Sequence, residues 1–542
     1  MGKFVMVLGA SLLQRPAILS AKELGYNVCV VGMEMHPSVE SVADEFQKID
    51  LKDLDALAQF ALSRRDSLAA VFTAGTDFST SVAYIAEKCG LPSHSFEAAQ
   101  NASNKVKMRE CFRRCGVSSP SFTYVNLEKL AALKSEIKKG SQPLSLKTIL
   151  SMDCSFPMVV KPADNMGSRG CQKVRTLDEL ISAAETAISF SRTSTAILEE
   201  FMDGPEFSLD GLIYNGKMIV TGFADRHIFS PPYFVEMGHT MPTDFPEEMQ
   251  ASVAREFQKA AEALGLSCGA AKGDIKFSGG VPKIGEVAGR LSGGYMSGWT
   301  FPYASSFNLT KAAMEIALGQ EPTLFNEENL AKLIPVSPNL YIYPCEKYSA
   351  ERAFISIPCV VDHIYGFPTE EESQSESRLQ NFFPRINVGD KVSFPTNNVE
   401  KCGNVITLAD NREEAISRAE AIIGKIILEP AFPNEDTEKF LAENSEFPPS
   451  AFAFSADNLV TVSDKLFVHT DEDIFSNLPD FVKSHQGRDF GGRTVSEALS
   501  LFRDFCRIHG IHGKIPLGEF CRGFCRGSVQ GAVYLAKKYK VN

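Results

Sequence analysis

The chain has 542 residues, 44% hydrophobic and 23% charged, a length beyond one hydrophobic core and a composition that leaves no room for extensive disorder. Its 67 acids outweigh 55 bases, for a net charge of −12 with no basic block, which excludes a nucleic-acid backbone as the main partner. Thirteen cysteines fit reduced, packed thiols better than a disulfide framework; with no signal-peptide pattern and no apolar run of about 18 residues, the expected protein is cytoplasmic and spans no membrane.

In chain order, "FVMVLGAS", "LLQRPAILSAKELGY" and "NVCVVGM" alternate an apolar run, a helical pattern and a second apolar run, the mark of a βαβ unit. "AAVFTAGTD" and "FSTSVAYIAEKCGLP" continue the rhythm, with the helix closed by Gly90 and Pro92. Residues 1 to about 100 therefore predict a small parallel α/β layer of Rossmann type. Gly9 begins the first turn, but "GASLLQ" lacks the later glycines of the dinucleotide fingerprint, so nicotinamide binding is a weak reading. "NKVKMRECFRRCGV" predicts a helix ending at Gly116, and 127–150 a helix plus surface loop.

From 156 the pattern becomes strand, glycine loop, strand, helix and further strands, with "YNGK" at 214–217 a hairpin signal. A helix is expected over 251–265, then two strands, "GAAKGDIKF" and "PKIGEVAGRL", joined by Gly279 and Gly280, so that this region reads as α+β with an antiparallel sheet. "NLYIYP", "AFISIPCVV", "KVSFP" and "GNVITLA" predict short strands before the helix "REEAISRAEAIIGKII". The acidic stretch at 368–376 reads as a solvated excursion. The four prolines of 429–449 suggest a linker, and 450–542 a small C-terminal domain of unknown role. There Cys521 and Cys525 sit four apart, as do Cys111 and Cys115; packed thiols are a better reading than zinc ligands.

"VVKPADNMGSRG" at 159–170 raises the first chemical question. Its lysine precedes the glycines, which fails the Walker A pattern, yet a strand lysine facing a Gly-Ser-Arg-Gly loop (Gly167, Ser168, Arg169, Gly170) can hold a triphosphate; alone it is also an ordinary hairpin tip. "ILEEFMDGPEF" then supplies an acid pair, an apolar turn and Glu206, groups able to read an adenine edge and a ribose hydroxyl. Asp274 and Glu286 on two adjacent strands make a hard oxygen site for magnesium. Arg290 adds a fixed positive fork, and "LSGGYMSG", with Gly293 and Gly294, exposes backbone N–H groups to an anion.

Over residues 1 to about 425 this order resembles the ATP-grasp superfamily, in which two α+β lobes clasp ATP behind a Rossmann-like layer. The resemblance implies Lys105 and Lys161 as the lysines on the phosphates, 164–170 as the phosphate lid, and Glu199, Glu200, Phe201 and Met202 as the adenine segment. It implies Glu206 as the ribose acid, Asp274 and Glu286 as ligands of Mg2+ or Mn2+, and Arg290 as the residue that steadies an acyl-phosphate. "EVAGR" departs from the common Glu-x-Asn-x-Arg at Ala288, and with "FVEMGHTMP" at 234–242 it resembles the L-amino-acid-ligase and carnosine-synthase-like branch, with Glu236 and His239 as substrate contacts.

The expected architecture is a Rossmann-like layer over 1–100, an ATP-grasp domain over 101–330, an α+β subdomain over 331–428, a linker over 429–449 and a C-terminal domain over 450–542. The expected activity is ATP-dependent joining of a carboxylate to an amine through an acyl-phosphate, with small-molecule substrates, no nucleic acid and a homodimer left open. Two alternatives stay open: a biotin-carboxylase-like or purine-biosynthetic enzyme, and a nucleotide-binding regulator without catalysis.

Overall fold

A computed structural model describes residues 2–138, 155–229, 232–369, 379–443, 445–454, 464–470 and 472–540. The expected loop over 139–150 and most of the acidic stretch at 368–376 lie outside the described residues. The chain divides into two compact units, the first chiefly Met1–Phe234 and Gly238–Ser349, the second chiefly Ala350–Ala409 and Glu413–Asn542.

The first unit opens with four parallel strands, β1 (Phe4–Leu8), β2 (Asn27–Gly32), β3 (Glu45–Lys48) and β4 (Leu68–Phe72), in the order β3-β2-β1-β4. Every residue of β1 is buried because both sheet faces are covered: Val5 and Val7 join one apolar cluster, and Phe4, Met6 and Leu8 another. Gln14 fills the first turn. A Cβ on Gly9 would meet the Gln14 side chain at 2.8 Å; its Oε1 accepts from Ser11 N and Oγ, and its Nε2 donates to Ala74 O.

Four antiparallel strands follow, β5 (Phe122–Asn126), β6 (Met158–Pro162), β7 (Gln172–Val174) and β8 (Thr195–Glu200), in the order β5-β8-β6-β7. The helix Leu177–Phe190 covers one face, where Leu180, Ala183 and Ala187 meet Met158 and Val160. A second antiparallel sheet, the site's floor, runs β13 (Val281–Ala288), β12 (Gly269–Ser278), β9 (Glu206–Tyr214), β10 (Lys217–Phe229) and β11 (Val235–Met241). Both expected hairpins form, on Asn215-Gly216 and Gly279-Gly280, each with positive φ at its two central residues. The helix Glu247–Leu264 packs Phe257 and Ala254 on Phe207, Leu209 and Ile275, the apolar face of this floor. Its other face is polar, and carries the candidate site.

In the second unit, Gly403–Ala409 pairs antiparallel with Leu379–Pro384, and Cys359–Tyr365 lies between Lys391–Val392 and Ile427–Pro430. The stretch 429–449 corrects the linker reading. It contains the end of a buried strand and the helix Glu435–Ala442, capped by Asn434, whose Phe440 and Leu441 pack with Ile357 and Tyr534. Its prolines bound these elements and do not loosen them. Residues 450–542 share this unit with 350–409 and 413–428: Ile427 belongs to the apolar cluster of Phe502, Phe520, Phe524 and Val533. Cys521 and Cys525 are buried in that cluster, which pushes the Cys521 thiol up to about 12. No described helix is long and apolar enough to cross a membrane.

Candidate active site

Strand alternation builds the polar floor. On β9 the residues Glu206, Ser208 and Asp210 share a face, and on β12 Lys272, Asp274 and Lys276 share the matching one, with Lys272 opposite Asp210, Asp274 opposite Ser208 and Lys276 opposite Glu206. On β13, Glu286 stands directly across from Asp274. A register shift next to Asp274 leaves Gly285 as a bulge, which lets Ile284 enter the apolar core while Glu286 faces the site.

Each acid of this face has a cation. Asp274 accepts from Ser208 Oγ at 2.6 Å and pairs with Arg226 Nη1 at 3.3 Å and with Lys272. Burial alone would raise its carboxyl; Arg226 and Lys272 outweigh that and hold it below the ordinary carboxylate range. Glu206 pairs with Arg226 at 2.5 Å and Lys276 at 3.4 Å, and Lys276 also donates to Met202 O. Glu286 is reached by Lys105 Nζ at 3.3 Å and keeps its side chain 34% exposed. Its carboxyl is likewise lowered, burial being outweighed by Lys105, Lys272 and Lys161.

Above the floor, the helix Lys105–Cys115 starts on the cap Asn104, and Lys105 N–H donates to Ala163 O, so that Lys105 Nζ meets both Asn165 O and Glu286. Arg109, one turn later on the same helix, is fully buried. Its Nε donates to Glu199 at 2.8 Å and its Nη2 to Gly285 O at 2.6 Å, while Lys161 on β6 takes the other oxygen of Glu199 at 2.7 Å. Glu199, expected in the adenine segment, here aligns Lys161, and its carboxyl is held low by Arg109 and Lys161 against the cost of burial. Glu200 pairs with Lys283, and the Phe201 ring lies under Lys173 Nζ at 3.5 Å.

The loop 164–170, the expected lid, springs from Asp164, which accepts from Ser191 Oγ, Arg192 N and Thr193 N, and places Gly167, Ser168 and Gly170 at φ between 60° and 69°. Arg169 Nε donates within the lid, to Met166 O. Below it, the glycine loop after Arg290 is clamped: Asp210 accepts from Ser292 N at 2.8 Å and from Ser292 Oγ, Gly75 N donates to Leu291 O, and Gly293 lies so close to Gly75 that a Cβ would come within 3.1 Å of Gly75 O. Gly294 has φ 59°. Burial pushes the Asp210 carboxyl up to about 6, although Ser292 and the charges of Lys272 and Arg290 work against it. Arg290 Nη1 donates to Leu291 O at 3.0 Å.

Lys105, Lys161, the lid, Glu199, Glu206, Asp274, Glu286, Arg290, Gly293 and Gly294 all fall in the first unit. Glu236 falls in the second, where its N–H donates to Asn398 and its carbonyl accepts from Lys401, while His239, buried on β11, falls in the first. The reading of the sequence missed Arg109, Arg226, Lys272 and Asp210. Their signals were readable in part, as a lysine and an arginine four apart on one helix and as alternate polar residues on β9 and β12. In the second unit, the metal-ligand types Asp362, His363 and Glu429 come together, but Lys537 pairs with both carboxylates at 2.7 Å.

A two-lobed clasp with lysines above and acids below is the ATP-grasp architecture, and residues 154–297 match the model of the ATP-grasp domain. Residues 361–429 match the L-amino acid ligase C-terminal domain 2. The L-amino acid ligase of Bacillus licheniformis superposes with a TM-score of 0.65 at 19% identity, over 79% of this chain and 99% of that one. The chain is 22% identical to mouse carnosine synthase 1 over 60% of its own length and 40% of the relative's, and 24% identical to alanine–anticapsin ligase of Bacillus subtilis over 52% and 61%. The matches thus span about half the length of these curated relatives.

Proposed function

We propose that the chain is an ATP-dependent carboxylate–amine ligase acting on amino acids or small peptides. The carrying observation is the convergence, within one unit, of Lys105 and Lys161 over the acid face of Glu206, Asp274 and Glu286, with Arg290 and the clamped glycine loop at its end. A substrate carboxylate oxygen would attack the γ-phosphorus of ATP as the bond to the β-phosphate oxygen breaks, giving an acyl-phosphate and ADP. An amine nitrogen would then attack the acyl carbon, expel phosphate and lose a proton, leaving an amide.

The chain's part is positioning and charge neutralisation. Lys105 and Lys161 offset charge on the phosphates, the lid amides close over them, and Glu206 binds a ribose hydroxyl. Arg290, with the N–H groups of Gly293 and Gly294, holds the acyl-phosphate oxygens. His239 is the candidate base for the amine, and Glu236 a candidate substrate contact. Glu286, half-buried and facing Asp274, fits a hard divalent cation, which when bound would neutralise phosphate oxygens. The amino-acid reading is supported by the match over 361–429 and by similarity to proteins named as an alanine–anticapsin ligase and an L-amino acid ligase.

The test is phosphate release from purified protein with ATP, magnesium and amino acids in pairs, followed by mass measurement of the product. Release with one pair and none without the amine supports the reading. Release with bicarbonate alone, or nucleotide binding without ADP formation on any pair, overturns it.

A further inference from the structure

The acids Asp274 and Glu286 face each other, yet they are not equally open. Asp274 is engaged on both oxygens, by Ser208 on one and by Arg226 and Lys272 on the other. Glu286 has Lys105 at 3.3 Å and remains a third exposed. Position 288, on β13 opposite Lys272, is an alanine and offers no oxygen. Two divalent cations on one polyphosphate sit about 3.5–4 Å apart, and each needs its own set of oxygen ligands. This face has one such set.

A single nitrogen, Arg226 Nη1, lies 2.5 Å from Glu206 and 3.3 Å from Asp274, between the candidate ribose acid and the candidate metal acid. Its charge is permanent, since a guanidinium does not deprotonate in a protein. We propose that the nucleotide site takes one divalent cation, held by Glu286, and that the Arg226 guanidinium stands in place of a second. The inference rests on the ATP-dependent reading above. It gives Ala288 a physical reason: with a fixed cation on Asp274, an oxygen ligand at 288 would have no metal to hold.

The experiment counts Mn2+ bound to the full chain by the electron paramagnetic resonance of free Mn2+, with and without a saturating non-hydrolysable ATP analogue. Wild type should bind one nucleotide-dependent Mn2+, and Arg226→Lys, which keeps the charge, should do the same. Arg226→Gln should weaken analogue binding about tenfold or more, without rescue by added Mn2+. Arg226→Gln with Ala288→Asn should bind two. Two ions in wild type, or unchanged analogue affinity in Arg226→Gln, overturn the proposal and leave the ligase reading standing. No nucleotide-dependent Mn2+ binding at all removes both. If Arg226→Gln does not fold, the wild-type and Arg226→Lys counts decide.

Discussion

The two glycine loops of the candidate site are similar in composition and differ in construction. The expected lid 164–170 is bonded partly to itself, by Met166 N to Asn165 Oδ1, Cys171 N to Ser168 O and Arg169 Nε to Met166 O, and partly outward, by Asn165 Nδ2 to Phe190 O and Lys105 Nζ to Asn165 O. It is anchored at its root by Asp164, and Gly170 abuts Phe190. The loop 291–294 has little of its own and is held from outside, by Asp210 on β9, by Gly75 from the N-terminal layer and by Ser297 Oγ on Ser292 O. Glycine content shows only what a backbone is free to do. Its partners decide whether that freedom becomes motion, as a lid needs, or close approach, as a floor needs.

Removing the cation that belongs to each loop tests what they share. Lys161→Ala, beside the lid, and Arg290→Ala, beside the floor, should each lower ADP release by roughly 10² or more, and unchanged turnover in either would break the pairing. Stability should then separate them. Asp210→Ala leaves the buried Ser292 donors unpaired and should cost about 1–3 kcal/mol in a urea melt. Gly170→Ala meets a positive φ of 69° and Phe190 at 2.9 Å; it should cost about 1–2 kcal/mol and weaken nucleotide binding. Arg169→Ala removes only a bond inside the lid, and should leave the melt within about 0.5 kcal/mol of wild type.

The floor also has a pH signature. The Asp210 carboxyl rises from 3.8 to about 6 on folding, so the folded chain keeps a proton that the unfolded chain has released. This contribution to stability is complete below the lower value and is lost as pH rises through the upper one. Asp210→Asn does not titrate, so its melting temperature relative to wild type should climb between those two pH values and stay level above. A flat difference would show that the Asp210 carboxyl titrates alike in the folded and the unfolded chain.

Features set by neighbouring residues were legible in the sequence. Asn215-Gly216 and Gly279-Gly280 turn where their φ preferences require, Gly90, Gly116 and Gly265 close their helices in the left-handed region, and the apolar runs of β1 and β2 are buried on both faces. The site was legible as an order of motifs. What failed was pairing at a distance. Glu199 reads as one acid of a pair in the adenine segment, and only the fold brings Arg109, ninety residues earlier, to it. Arg226 gives no local sign that it will span Glu206 and Asp274. Stretch 429–449 misled because proline marks the ends of elements as readily as it marks loose chain, and Phe440 and Leu441 were the better guide.

The helical stretch Leu517–Lys538, broken at Ser528 where φ is 50°, has a consequence for how this protein can be cut. Its Gln530 donates to Leu428 O at 2.7 Å and to Ser356 Oγ at 2.9 Å and accepts from Ile357 N, and Tyr534 OH meets the backbone of Asn434 and the Glu438 carboxylate. A stop codon placed at the apparent seam near 449 would therefore not release a free-standing upstream part from a dispensable tail. It would strip the inner wall from strands upstream, and the shortened product should be recovered from inclusion bodies.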